Sequence, residues 1–86
     1  MLGPMVRVRV LYFAAIRERI GLDQEDLDLP ERTTDRAVLA LVGTRHPAAA
    51  PLLAPCRIAV DQAFIRGEVA LRTGAEVAVI PPVSGG

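Results

Sequence analysis

EVAVIPPVSGG, residues 76–86, joins two kinds of sequence that a folding domain normally keeps apart. Glu76-Val77-Ala78-Val79-Ile80 is a short apolar run entered through a Thr73-Gly74 turn, the signature of a strand buried in a core. Pro81 and Pro82 end it, because proline has no N–H for a ladder and holds φ near −65°. They also favour an extended exit, so the chain leaves the body pointing away from it. From Pro81 to Gly86 it can reach about 20 Å at roughly 3.3 Å per residue. Gly85 and Gly86 lack a Cβ, which gives the last stretch the thinnest possible cross-section. Such a segment either frays in solvent, as chain ends do, or threads a narrow tunnel and presents its α-carboxylate to chemistry on another protein.

The counterpart of that strand lies at the other end of the sequence. In MVRVRVLYF, residues 5–13, Val6, Val8 and Val10 alternate with Arg7 and Arg9, the period of a strand with one buried face. From Leu11 to Phe13 the alternation becomes continuous apolar character. These are the most apolar strands of the chain, and they belong side by side in the middle of a sheet. Between them, Ala14–Ile20 reads as a short helix stopped by Gly21, and Glu25–Leu29 as a strand with Leu27 and Leu29 inward, ended by Pro30. Thr33 or Thr34 can cap a longer helix with Asp35 in its first turn and Val38, Leu41 and Val42 on one face, Ala37 beside them. Gly43 weakens its last turn. Residues 47–55, PAAAPLLAP, read as a connection, Arg57–Val60 as a strand, Asp61-Gln62 as a turn and Ala63–Ile65 as a brief strand. The order predicts an α+β fold, a mixed sheet of about five strands with one main helix packed across one face. Residues 5–82 form the domain, residues 1–4 a disordered extension and residues 83–86 a flexible tail.

Composition removes several functions. The 86 residues carry ten arginines, no lysine and ten acidic residues, so no net charge points to nucleic acid or an anionic membrane. Three aromatics, Tyr12, Phe13 and Phe64, make no base-stacking platform. No apolar run spans a bilayer and no signal peptide is visible, so cytoplasmic residence is the default. Cys56 reads as a small apolar residue near a strand start, with a sulfur-relay role as the sharper alternative. His46, the single histidine, reads as a solvated or capping imidazole rather than a ligand or base. Asp23, Glu25, Asp26 and Asp28 read as the wet face of an edge strand, or else as a docking surface for a basic partner. Arg17, Glu18 and Arg19 read as a wet helix face from which Arg17 can meet a partner. No zinc spacing and no phosphate loop occurs. The body offers no self-contained active site, which returns attention to Gly86.

Taken together, Val8-Arg9-Val10-Leu11-Tyr12-Phe13-Ala14-Ala15-Ile16-Arg17-Glu18, Arg57-Ile58-Ala59-Val60-Asp61 and Thr73-Gly74-Ala75-Glu76-Val77 with Pro81-Pro82-Val83-Ser84-Gly85-Gly86 resemble the small subunits of molybdopterin synthase, ubiquitin-like sulfur carriers. Asn is usual in that family where this chain has Asp61, and no role is assigned to that turn. The resemblance implies a ubiquitin-like β-grasp fold and a heterotetramer with two large subunits. It implies that the carboxylate of Gly86 is adenylated by an E1-like enzyme using ATP, then converted to a thiocarboxylate by a persulfide or rhodanese-type sulfur donor. The thiocarboxylate then delivers sulfur to the cyclic pyranopterin precursor of the molybdenum cofactor inside the large subunit. No cofactor and no metal would be held by this chain, and catalytic groups would come from its partners. Ser84 and Gly85 would thread the partner, while Phe13, Arg17, Ile80, Pro81, Pro82 and Val83 would form the docking surface. The rival readings are a sulfur carrier for thiamin or cysteine synthesis, and a ubiquitin-like modifier joined to other proteins.

Overall fold

The structure is a computed structural model and describes residues 3–82. Met1 and Leu2 of the expected extension, and the expected tail at residues 83–86, lie outside the described residues. Pro4 is tied to the body, its carbonyl accepting from the Glu31 N–H at 2.8 Å. The elements in order are β1 (Met5–Tyr12), α1 (Ala14–Ile20), β2 (Gln24–Pro30), β3 (Arg32–Thr34), α2 (Asp35–Arg45), a 3₁₀ turn (Pro47–Ala49), α3 (Ala50–Leu53), β4 (Arg57–Val60), β5 (Ala63–Phe64), β6 (Glu68–Ala70) and β7 (Glu76–Ile80). The main sheet runs β2-β1-β7-β4-β5, and β3 and β6 make a separate two-stranded sheet. β1 and β7 are neighbours and parallel, and the other pairs of the main sheet are antiparallel. The order is that of a β-grasp, with the first and last strands together inside the sheet as their apolar character requires.

Alternation decides which side of the sheet is covered. Val8, Val10 and Tyr12 of β1, Leu27 and Leu29 of β2, Ile58 of β4 and Val77 and Val79 of β7 all join one buried cluster. Ile16 of α1, Val38, Leu39 and Val42 of α2 and Leu53 of α3 close it from the helical side. Burying each such side chain stabilises by about 1.5–3 kcal/mol relative to exposure. Leu39, not Ala37, completes the buried face of α2. Thr34 is the N-cap, its side chain accepting from the Ala37 N–H at 3.0 Å, which is worth about 1 kcal/mol. Gly43 has a packing role: a Cβ there would lie 3.3 Å from Leu53 Cδ1, so its bareness lets α3 close on α2. Within the expected connection at 47–55, residues 47–53 are accordingly helical, anchored by buried Ala49 and Leu53. The two other elements that the sequence pattern does not show are β3 and β6.

Candidate functional site

Because β1 and β7 run parallel, both end at the same edge of the sheet. The last registered pair is Tyr12 with Val79. Ile80, half-buried, pairs across the sheet with Arg57 of β4, and half-buried Pro81 and exposed Pro82 follow. Phe13 lies one step past the end of β1 rather than within it. It is the N-cap of α1, 42% exposed, and its carbonyl accepts from the Ile16 and Arg17 N–H groups. The turn between strand and helix is forced through Ala14 at φ +50°, a left-handed conformation costing a side-chain-bearing residue roughly 1–2 kcal/mol. Arg17 stands one helical turn after Phe13 and points its guanidinium at Asp23, 3.8 Å away. Phe13, Ile80, Pro81 and Pro82 are thus brought to one edge. Val83, Ser84, Gly85 and Gly86 lie outside the described residues.

Among the described residues no helix lies over the other face of the sheet, and its pattern changes along the strands. Gln24, Leu11, Ala78, Ala59 and Phe64 form one registered row across all five strands. Four of the five are apolar, Ala59 and Ala78 are buried, and Phe64 is 54% exposed. One row further from the exit the face becomes ionic, with Arg9 and Asp26 paired at 3.7 Å and Arg7 and Asp28 at 3.1 Å. Those pairs are solvent-exposed and contribute at most about 1 kcal/mol each. An apolar strip of this kind beside the chain exit is the property of a surface that meets another protein. Leu11 and Phe64 were not singled out from sequence. Only the cross-strand register, which sets them in line with Ala78, reveals them.

A second group of residues sits on the helical side. The Tyr12 hydroxyl donates to Glu25 Oε2 at 2.6 Å, and Glu25 Oε1 accepts from Arg45 Nε at 2.9 Å. His46 Nε2 lies 2.5 Å from Glu25 Oε2. Glu25 therefore departs from its expected place on a wet acidic face: it shares parity with Leu27 and Leu29 and points inward. Burial alone would raise its pKa. The hydrogen bonds from Tyr12, His46 and Arg45 outweigh burial and hold it below the ordinary carboxylate range. Burial first, then the hydrogen bond and charge of Glu25, push the Tyr12 phenol far above its usual value. His46, half-buried, is held by Glu25 rather than solvated. With both Glu25 carboxylate oxygens engaged, the group reads as a structural clasp between β1, β2 and the end of α2.

Cys56 is buried, its thiol donates to the Leu52 carbonyl at 3.3 Å, and burial pushes its pKa up. Such a thiol lacks the thiolate character of a relay cysteine. Among the described residues no three His, Cys, Asp or Glu side chains gather to hold a metal ion.

A five-stranded mixed sheet with its first and last strands parallel at the centre, helices on one face and a chain end leaving beside an apolar strip, defines a ubiquitin-like β-grasp protein. The chain matches the ThiS family over residues 10–86. A molybdopterin synthase sulfur carrier subunit from Chlamydomonas reinhardtii is 36% identical over 83 residues, which cover 94% of this chain and 100% of that protein. A solved Pyrococcus furiosus structure, assigned as subunit 1 of a molybdopterin converting factor, is 31% identical. It covers 91% of this chain and 99% of its own, with a TM-score of 0.77. Small archaeal modifier protein 1 from Methanosarcina acetivorans is 25% identical, covers 98% and 100%, and has a TM-score of 0.80. The chain belongs to the ThiS family, and within it to the group of molybdopterin synthase sulfur carrier subunits.

Proposed function

We propose that this chain carries sulfur on Gly86 as the small subunit of molybdopterin synthase. The observation that carries the reading is the parallel central pair: it sends the chain out through Pro81 and Pro82 beside an apolar strip. Among the described residues, the body behind it holds the structural clasp around Glu25 and a buried cysteine whose pKa burial raises.

A carboxylate is a poor electrophile, so sulfur can reach Gly86 only after activation. The carboxylate attacks the α-phosphate of ATP in an E1-like enzyme, pyrophosphate leaves, and an acyl-adenylate forms. The terminal sulfur of a persulfide on a rhodanese-type donor then displaces AMP to give an acyl disulfide. A thiol attacks the donor-side sulfur, forming a disulfide with it and releasing a thiocarboxylate, which is ionised and soft at neutral pH. Inside the large subunit it attacks the cyclic pyranopterin precursor, and two deliveries complete the dithiolene. The name of the Chlamydomonas relative, a synthase subunit, supports the large-subunit partner. Ser84 and Gly85 thread the partner, while Phe13, Ile80, Pro81, Pro82 and Val83 dock against it. Arg17 adds a charged contact at the rim. ATP is consumed by the partner, and this chain holds no cofactor of its own. Its place is the cytoplasm. No helix among the described residues is long and apolar enough to cross a membrane.

The test is the mass of the chain after incubation with ATP, a sulfur donor and the host's adenylating enzyme. One oxygen is replaced by one sulfur on the peptide ending at Gly86, and the change is absent from a chain lacking Gly86. An unchanged terminus, with an enzyme that loads a known carrier, would sink the proposal. The likeness to the Methanosarcina modifier favours a second reading, attachment of Gly86 to amines of other proteins. That reading gives larger covalent adducts in cell lysate, and a carrier gives none.

A further inference from the structure

We propose that Arg57, Arg36 and Arg66 form a docking point for an acidic surface of the partner protein that receives the C-terminal segment. The inference rests on the proposed function and deepens it by naming the chemistry of the partner's contact.

The arginines of this chain are not used evenly. Arg7, Arg9, Arg17 and Arg45 each face a carboxylate within 4 Å. Arg36, Arg57 and Arg66 form no salt bridge among the described residues, yet they line one shallow cavity of about 460 Å³ at the start of α2. The one carboxylate in its wall, Asp35, is already occupied: its Oδ1 accepts from the Arg36 N–H at 2.9 Å and the Gly67 N–H at 3.3 Å. Three guanidinium charges against the single carboxylate of Asp35 leave a net positive cavity wall on a chain of zero formal charge, with Arg36 Nη1 also donating to the Ala54 carbonyl at 3.1 Å. Such local imbalance steers and selects partners.

Position identifies what they meet. Arg57 is the cross-strand neighbour of Ile80, the last strand residue before the exit. Its guanidinium lies over the Phe64 ring, 4.1 Å from the centroid. A guanidinium held over a ring keeps its N–H groups at its own rim, the fork that grips a carboxylate in two places. An exposed aromatic joined to an ordered arginine is also the composition of an interface hot spot. Phe64 in turn ends the apolar row through Leu11 and Ala78, so the basic cavity continues the strip beside the exit. A nucleic acid fits less well, because the ring face a base would stack on is already covered by Arg57.

The experiment measures affinity of the full chain for the host's adenylating enzyme and for the large synthase subunit, by calorimetry at low and high salt. Arg57→Lys keeps the charge but loses the fork and the stack. It is expected to weaken binding to at least one partner by about tenfold or more. The double variant Arg36→Gln with Arg66→Gln is expected to lower the association rate and flatten the salt dependence. Arg72→Gln, an exposed arginine away from the cavity, serves as control, and thermal melts verify that each variant is folded. Affinities within about twofold of wild type for both partners in Arg57→Lys and in the double variant would overturn the inference. If the wild-type chain binds but Gly86 is never loaded with sulfur, the carrier reading fails while this contact stands. If the wild-type chain binds neither partner, both fail.

Discussion

Removing one oxygen atom from Tyr12 tests the clasp behind the exit. Tyr12 is 2% exposed, and Tyr12→Phe keeps the ring in its core site, edge-on to His46. What is lost is the 2.6 Å hydrogen bond to a charged acceptor, a class worth about 1.5–3 kcal/mol net. Glu25 keeps Arg45 and His46, so no carboxylate is left without partners and the lower end applies. For a domain of this size each kcal/mol moves Tm by about 4–8 °C, so a loss near 1.5 kcal/mol lowers it by roughly 6–12 °C near neutral pH. Far-UV circular dichroism melts read this directly. The acid side gives a second readout. Glu25 has a folded pKa below its unfolded value of about 4.3, so its contribution is present above that value and lost as pH falls through the folded one. Tyr12→Phe removes one of the bonds that lower it, so the acid loss of stability is smaller and is complete at higher pH. A Tm change under about 2 °C with an unmoved acid limb would refute the account of the clasp.

Ala14→Gly should stabilise the chain by about 0.5–1 kcal/mol in urea unfolding, against the usual sign for a helical residue, because glycine adopts φ +50° without strain. Any destabilisation would show that Ala14 is not held left-handed. Tyr12 is the chain's one tyrosine, and no tryptophan obscures it. Its raised pKa means that stability is present below the unfolded value of about 10 and declines as pH rises toward the folded one. Ultraviolet titration should show no tyrosinate in the folded chain at pH values where a free phenol is already ionised. Leu11→Arg, in the row on the open face, should shift Tm by no more than a few degrees while weakening partner binding about tenfold or more. Unchanged calorimetric affinity would remove that row from the interface.

Where local pattern and final environment agree, the sequence was enough. Val8 and Val10 alternate with arginines because one side of β1 is core and the other meets Asp26 and Asp28, and α1 ends where Gly21 permits φ +86°. β3 and β6 escaped notice because three-residue strands have no period of their own and exist through each other's hydrogen bonds. Glu25 is the instructive error. Reading Leu27 and Leu29 inward already implies, at period two, that Glu25 is inward as well. Its charge argued otherwise, and the partners that reconcile charge with burial, Arg45 and His46, come from the far end of α2. The edge that gathers Phe13, Ile80 and Pro81 was legible from two apolar strands. The stacked pair Arg57 and Phe64 was not, since it depends on how β4 turns into β5. Asp61 and Gln62 make that turn with both φ values positive, a conformation expected of Asn-Gly rather than of these residues.

The parallel alignment of β1 and β7 also decides how the molecule can be handled. Met5 begins at one end of the central pair and Ile80 finishes at the other, separated by the eight residues of β1, roughly 25 Å. With no lysine in the chain, amine-directed labels have no side chain to attack and react only at the N-terminus. Pro4, just ahead of β1, is tied to Glu31 at the end of the central pair opposite Ile80, so a label joined ahead of Pro4 leads into the fold on that side.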